Sequence, residues 1–297
     1  MLEQCIYNDM QEKRSDIKLI GSELSQRPAL RLSADNPIHR NYAAYLLKNG
    51  KIGAIAFNGI YGLFASADNE PAHGRILKIK NRPSDKHGVL VVPPERLREH
   101  ADISKTNYTY GQITKLQKHL HALGIILPAS EGAPEHLVHK KGEDRTILTI
   151  WTEYHPLRML IEEFQKLGGR ALAGTSANRS GQLTHFDTEA VWQDFKLDVC
   201  FILEADYSRF PKERRKSTSI IDLTGDDPVL HRVGNVSQEE IDAGLKKFGF
   251  PSLQLQPVKR ALTFEELRQE WYVAAHARYL QRLIDNLNKF KHPMPQG

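Results

Sequence analysis

The sequence predicts an α/β domain with a twisted, mostly mixed sheet and flanking helices. Two observations carry this. Short apolar runs rich in β-branched residues, such as Ile52 to Phe57, Val89 to Val92 and Val199 to Leu203, read as buried strands. Between them lie helical stripes, among them Leu157, Leu160, Ile161 and Phe164. The two kinds of segment interleave at short spacing without strict alternation, which favours a mixed sheet over a purely parallel one. With 297 residues, 40% of them hydrophobic and 26% charged, the chain can bury a large core.

Taken in order, residues 1–34 are mixed and read as an extension with at most one short helix. Asn36-Pro37 starts a helix whose face carries Ile38, Tyr42, Tyr45 and Leu46, and Gly50 closes it. Ile52 to Phe57 is a strand, Asn58-Gly59 a turn, and Tyr61-Gly62-Leu63 continues the loop. Pro71 to Lys80 forms a helix that ends before Arg82-Pro83. Val89 to Val92 is a strand, and Pro93-Pro94 opens a helix through Arg98. Tyr110 to Leu123 is helical, and Ile125 to Leu127 and Thr146 to Thr152 are strands. Pro156 to Leu167 is a helix closed by Gly168-Gly169, and Ala171 to Ala173 is the end of a buried strand. Asp187 to Phe195 is a short helix and Val199 to Leu203 a strand. Ser219 to Leu223 and Val229 to Val233 are strands around the turn at Gly225 to Pro228. Ser237 and Glu240 form a capping box.

No apolar run reaches the roughly 20 residues a membrane helix needs, so no membrane contact is expected. Residues 1–14 resemble neither a secretory signal nor a transit peptide. Cys5 and Cys200 are too few for a disulfide framework or a cysteine-based zinc site, and a cytoplasmic location is expected. No carboxylate spacing near His119, His121, His136 and His139 supports a metal site. The net charge of +5 permits nucleic-acid contact without demanding it. The densest basic run, Lys212 to Lys216, is either a solvated hairpin or a phosphate- or RNA-contacting patch.

Four polar clusters follow or flank predicted strands: Lys80-Asn81-Arg82-Pro83, Thr175 to Gly181, Arg215 to Ser219 and His231-Arg232-Val233-Gly234. Ligands of open α/β sheets bind in crevices at strand ends. Cations beside hydroxyls and amides suit a phosphate-bearing ligand. Taken alone, the Thr175 to Gly181 loop reads as an ordinary polar turn. The chain carries neither G-x-x-x-x-G-K-S/T nor G-x-G-x-x-G.

In order, Tyr61-Gly62-Leu63, Lys80-Asn81-Arg82-Pro83, His155-Pro156-Leu157, Thr175-Ser176-Ala177-Asn178-Arg179-Ser180-Gly181, Ser217 to Thr224 and His231-Arg232-Val233-Gly234 resemble the motifs of the YrdC-like family. The resemblance covers about residues 36–242. It implies a YrdC-like fold and the reaction of L-threonylcarbamoyladenylate synthases, in which ATP, bicarbonate and threonine give threonylcarbamoyl-AMP and pyrophosphate for tRNA modification. It also implies ATP with Mg2+ as substrate. By the resemblance, Lys80 and Arg82 would hold the triphosphate, Ser176, Asn178 and Thr184 the nucleotide, and Arg232 would add charge near the phosphates. Asn58, Gly59, Tyr61, Trp151 and Ser217 would line the acyl and amino-acid side.

Departures from the family pattern gather on that second side. Gly59 stands where the family has a hydroxyl before x-Y-G-L, and Val92 where a strand often carries a His. Trp151 stands where an Arg suited to a carboxylate is expected, and His119 to Gly124 replaces a W-P-G-P-x-T segment. An indole offers one donor and no charge, so it cannot replace a guanidinium that pairs a carboxylate. Nucleotide binding is therefore expected to persist, with an altered amino-acid substrate. The alternative is a non-catalytic relative that binds a nucleotide, tRNA or double-stranded RNA.

The domain reading is an extension over 1–34, a YrdC-like domain over 35–246, a linker over 247–262 and a long amphipathic helix over 263–297. That helix carries Phe264, Leu267, Trp271, Leu280, Leu283 and Leu287. It either packs back on its own domain or docks a protein partner or second copy.

Overall fold

The computed structural model describes residues 28–81, 88–153, 156–179, 184–207 and 210–255. The expected C-terminal helix, residues 256–262 of the linker, Arg82 and His155 lie outside the described residues. In chain order the elements are β1 (Leu30–Ser33), α1 (Pro37–Lys48), β2 (Gly53–Phe57), β3 (Ile60–Ser66), α2 (Glu70–Ile79) and β4 (Val89–Val91). Then come α3 (Tyr110–His119), β5 (Gly124–Pro128), β6 (His139–Lys141), β7 (Asp144–Ile150), α4 (Leu157–Lys166) and β8 (Leu172–Ser176). The last are α5 (Thr188–Phe195), β9 (Phe201–Glu204), β10 (Ile220–Asp222), β11 (Val229–Arg232), α6 (Gln238–Lys247) and β12 (Gln254–Leu255).

All the strands of the described residues join one 12-stranded sheet in the order β1-β9-β2-β3-β8-β4-β7-β5-β10-β11-β12, with β6 on β7. It is mixed, as expected: β1 and β2 flank β9 in parallel, while β3 and β8 run antiparallel to their neighbours. Side chains alternate between its two faces. Ile55, Phe57, Ile60, Phe64, Val91, Leu172 and Phe201 point to one face, where Ala43, Leu47, Leu157, Leu160 and Phe164 of α1 and α4 cover them. On the other face, Ala54, Ala56, Tyr61 and Leu63 meet α2 and α5 through Ile76, Val191 and Phe195. Further along that face, Leu90, Ile125, Leu127 and Ile221 meet α3 and α6 through Ile113, Leu116, Ile241 and Leu245.

Local chemistry fixes most boundaries. Asn36 caps α1 by accepting from the amides of Ile38 and His39, and Gly50 leaves the helix at a φ of +72°. Thr109 with Gln112, and Ser237 with Glu240, form complete capping boxes. Asn58 and Gly59 both have positive φ, 47° and 78°, the signature of the two-residue turn that matches strand twist.

That turn corrects one expectation. Tyr61-Gly62-Leu63 is not loop but part of β3, because the turn ends at Gly59 and the chain returns at once along β2. Four further differences have similar local causes. Leu30–Ser33, placed in the extension by sequence, is a strand held by parallel pairing to β9. Gly174 to Ser176 belong to β8 rather than to a polar loop, since β3 pairs with them. The α3 helix ends at His119, and Ala122 then turns through a φ of +61°. Ile38 is 46% exposed, and the buried face of α1 centres on Ala43 and Leu47 instead.

Two buried imidazoles link this packing to pH. Burial pushes His100 below the ordinary imidazole value, aided by Arg170 and opposed by Glu99 and Asp68. Burial also lowers His121, aided by His119 and Arg214 and opposed by Glu153. The unfolded chain therefore binds more protons than the folded one just below about pH 6.5. This contribution is complete above about pH 6.5 and is lost as pH falls below it. The salt-bridged Glu99 and Glu135, lowered from 4.5, act only at more acid pH. The melting temperature should thus fall between pH 7.5 and 5.5, and His100→Gln should flatten that slope in thermal unfolding.

Candidate functional site

A cavity of about 170 Å3 opens on the face that α1 and α4 partly cover. Strand register builds its floor. Val91, Ile150, Gly124, Ile220 and Arg232 are successive partners across β4, β7, β5, β10 and β11. Phe64, Gly174 and Val89 form a second row across β3, β8 and β4. A Cβ at Gly62 would stand 2.5 Å from the Phe64 ring, and one at Gly174 would overlap it. The ring therefore packs directly against two bare stretches of backbone. The floor is apolar, while Thr175, Ser176, Ser217, Thr218 and Arg232 supply polar lining.

One polar edge is a connected cluster. Lys80, which caps the C-terminus of α2, is 3% exposed. Its Nζ donates to the carbonyl of Ser176 and, at 3.0 Å, to Asn178 Oδ1. Ser176 Oγ donates to the same Oδ1 at 2.6 Å. Arg179 anchors this cluster, a role the sequence did not signal. Its guanidinium donates to the carbonyls of Ile79 (2.5 Å) and Asp194 (2.8 Å), pairs with Asp198 (2.7 Å) and lies over the Phe195 ring. One side chain thus ties the end of β8 to the helix that carries Lys80.

The facing edge comes from residues 217–219 and 232–236. Ser219 Oγ accepts from the amides of Gly234 and Val236 and donates to the carbonyl of Val236. Asn235 Oδ1 accepts from the Ser219 amide at 2.9 Å, and Arg232 Nε donates to the carbonyl of Thr218 at 2.8 Å. A Cβ at Gly234 would overlap the Ser217 carbonyl oxygen, so only glycine permits this approach. Thr184 Oγ1 and Ser217 Oγ stand 3.5 Å apart and bring the two edges together.

Of the other expected site residues, Tyr61 lines the cavity while Asn58, Gly59 and Trp151 do not. Asn58 is 4% exposed and its Oδ1 accepts from Thr152 Oγ1 at 2.9 Å. The space a side chain would take at Gly59 is filled by the Phe210 ring. The Tyr61 ring turns to the opposite face, where its hydroxyl meets Thr188 Oγ1 at 2.5 Å, so the cavity sees mainly its backbone. Burial raises the Tyr61 pKa. Trp151 packs into the core beside α4 and its Nε1 donates to Glu153 Oε1 at 2.7 Å. The basic run divides: Arg214 pairs with Glu240, Arg215 donates to the carbonyls of Tyr207 and Phe210, and Lys212 and Lys216 are exposed. Among the described cavity-lining residues, Arg232 is the only cation.

Residues 45–234 match the model of the Sua5/YciO/YrdC family, described as telomere recombination. The chain belongs to that family. The family resemblance read from the motifs is thereby shown, and the fold agrees. Among curated relatives, the threonylcarbamoyl-AMP synthase of Pyrococcus abyssi is 28% identical over 208 residues, covering 67% of this chain and 55% of its own. That of Bacillus subtilis is 29% identical, covering 68% of this chain and 55% of its own. This chain thus spans about half the length of those two relatives. The crystal structure of P. abyssi Sua5 with L-threonine superposes with a TM-score of 0.63 at 25% identity, covering 77% of this chain and 62% of that one. E. coli YciO shares the fold, with a TM-score of 0.58 at 21% identity over 70% of this chain and 96% of its own.

Gly234 gives a direct test of the second edge. Gly234→Ala should destabilise the fold by roughly 1–3 kcal/mol, the scale of overpacking. Denaturant unfolding checks this, with Gly225→Ala as control because a Cβ there meets nothing within 4 Å.

Proposed function

We propose that the cleft binds ATP and forms a carbamoyl adenylate of the kind named for the threonylcarbamoyl-AMP synthases to which this chain is similar. The observation that carries this reading is the convergence of two distant motifs. Lys80, Ser176 and Asn178 form one bonded cluster, Ser217 and Arg232 line the facing edge, and the 3.5 Å approach of Thr184 to Ser217 joins them. Cations and hydroxyls held in place by backbone carbonyls and the Asn178 amide suit a triphosphate, because no reorganisation is needed when charge moves during reaction. Lys80 and, by the family resemblance, Arg82 hold the triphosphate. Ser176, Asn178 and Thr184 contact the nucleotide, and Arg232 adds positive charge.

The chemistry then follows. An amine and bicarbonate form a carbamate with loss of water. A carbamate oxygen attacks the α-phosphorus, and the bond to pyrophosphate breaks as the new P–O bond forms. The protein contributes position and charge neutralisation. The described cleft residues offer hydroxyls and carbonyls but no carboxylate, and no group of three or more His, Cys, Asp or Glu among the described residues could hold a metal. They do not build a protein cage for Mg2+, which enters on the triphosphate as part of the substrate. The adenylate would feed tRNA modification.

A second reading, a non-catalytic nucleotide or RNA binder, draws on the opposite side. Asn58, Gly59 and Trp151 are uncharged and already engaged by Thr152, Phe210 and Glu153, so none of them pairs a substrate carboxylate. Pyrophosphate release with ATP, bicarbonate and a panel of amines separates the two readings. The enzyme reading expects amine-dependent release; ATP binding without release for any amine supports the binder. In either case Lys80→Met should weaken ATP binding roughly 10- to 100-fold by calorimetry, the cost of losing a charged hydrogen bond.

A further inference from the structure

The polar edges account for only part of the cavity lining. Its inner half is walled by Phe57, Phe64, Val89, Leu148, Ile150 and Ile220. Val89, Leu148 and Ile220 are only partly buried, so they leave apolar surface open to the cavity. Phe57 meets Phe64 edge-on at 6.2 Å, which props the Phe64 ring. The Phe64 ring is 2% exposed and rests on Gly62 and Gly174, with no side chain beneath it.

Resting on the carbamoyl-adenylate reading, we propose that this inner half is a subsite for the apolar side chain of the amine co-substrate, and that Phe64 sets its depth. The amine belongs to the valine and leucine class rather than to the hydroxy-amino acids. Size and chemistry both support this. A volume of about 170 Å3 is below the roughly 300–1,000 Å3 of pockets that enclose a whole ligand, so the enclosed part takes one small group. The rest of the amine and the nucleotide lie along the polar edges. A hydroxyl directed at those apolar side chains loses its water without gaining a partner from them.

Threonine and valine test this directly. They are isosteric and share ammonium and carboxylate, so their difference reports only hydroxyl against methyl. With the full chain saturated by ATP, calorimetry should show valine binding on the order of 10- to 100-fold tighter than threonine, the usual range for a hydroxyl in an apolar pocket. Phe64→Ala should open the floor to the glycines and shift preference from valine to phenylalanine. Phe64→Leu, which keeps most of the volume, should retain the preference for valine. If Phe64→Ala fails to fold, the wild-type pair and Phe64→Leu still decide. Threonine binding as tightly as valine, or no amine binding to the ATP-bound protein, overturns the subsite while the nucleotide reading stands. Absence of ATP binding would overturn that reading and the subsite together.

Discussion

The two-residue turn at Asn58-Gly59 sets the register on which the site depends. With Phe57 opposite Ile60, every later residue of β3 is assigned a face. Phe64 and Gly62 then look into the cleft, while Tyr61 and Leu63 enter the opposite core. A slip of one residue would exchange these sets and put a tyrosine where the floor now has bare backbone. The same turn explains why Gly59 carries no side chain. Its φ is positive, and Phe210 already occupies the space beyond it.

On this frame the two polar edges are made differently. The Lys80 edge is held by charge: Arg179 binds carbonyls on two helices and the Asp198 carboxylate just beyond the second, and so fixes the strand end that Lys80 contacts. The Ser217 edge is held by close backbone approach, with Gly234 against a carbonyl and the Ser219 hydroxyl bridging amides of the same loop. Between them the floor stays apolar. On the proposed reading, a phosphate-bearing ligand would find donors at the edges and an apolar surface inward, which would strengthen each electrostatic contact made there.

Much of this was legible in the sequence because the signals are local. Asn36-Pro37, Ser237 with Glu240, and Asn58-Gly59 each state their own geometry within a few residues. The motif residues Lys80, Ser176, Asn178, Ser217 and Arg232 stood out because they sit beside strand or helix ends. What could not be read depends on distant partners. The strands β1, β6 and β12 are short or polar and exist through pairing rather than through their own pattern. Phe64 reads as one more strand residue until two glycines on neighbouring strands are seen beneath it. Arg179 reads as a loop charge until its contacts on α2 and α5 appear. Trp151 stands where the family resemblance implies a ligand-facing Arg, and it lies in the core just past the end of β7.

Hydrogen exchange with and without ATP tests most directly whether one nucleotide spans both edges. Binding should slow exchange together at residues 174–178, 217–219 and 232–236, leaving β1 and β9 at the far side of the sheet unchanged. Protection confined to one edge, or none at either while ATP is bound, would contradict a shared nucleotide site in this cleft.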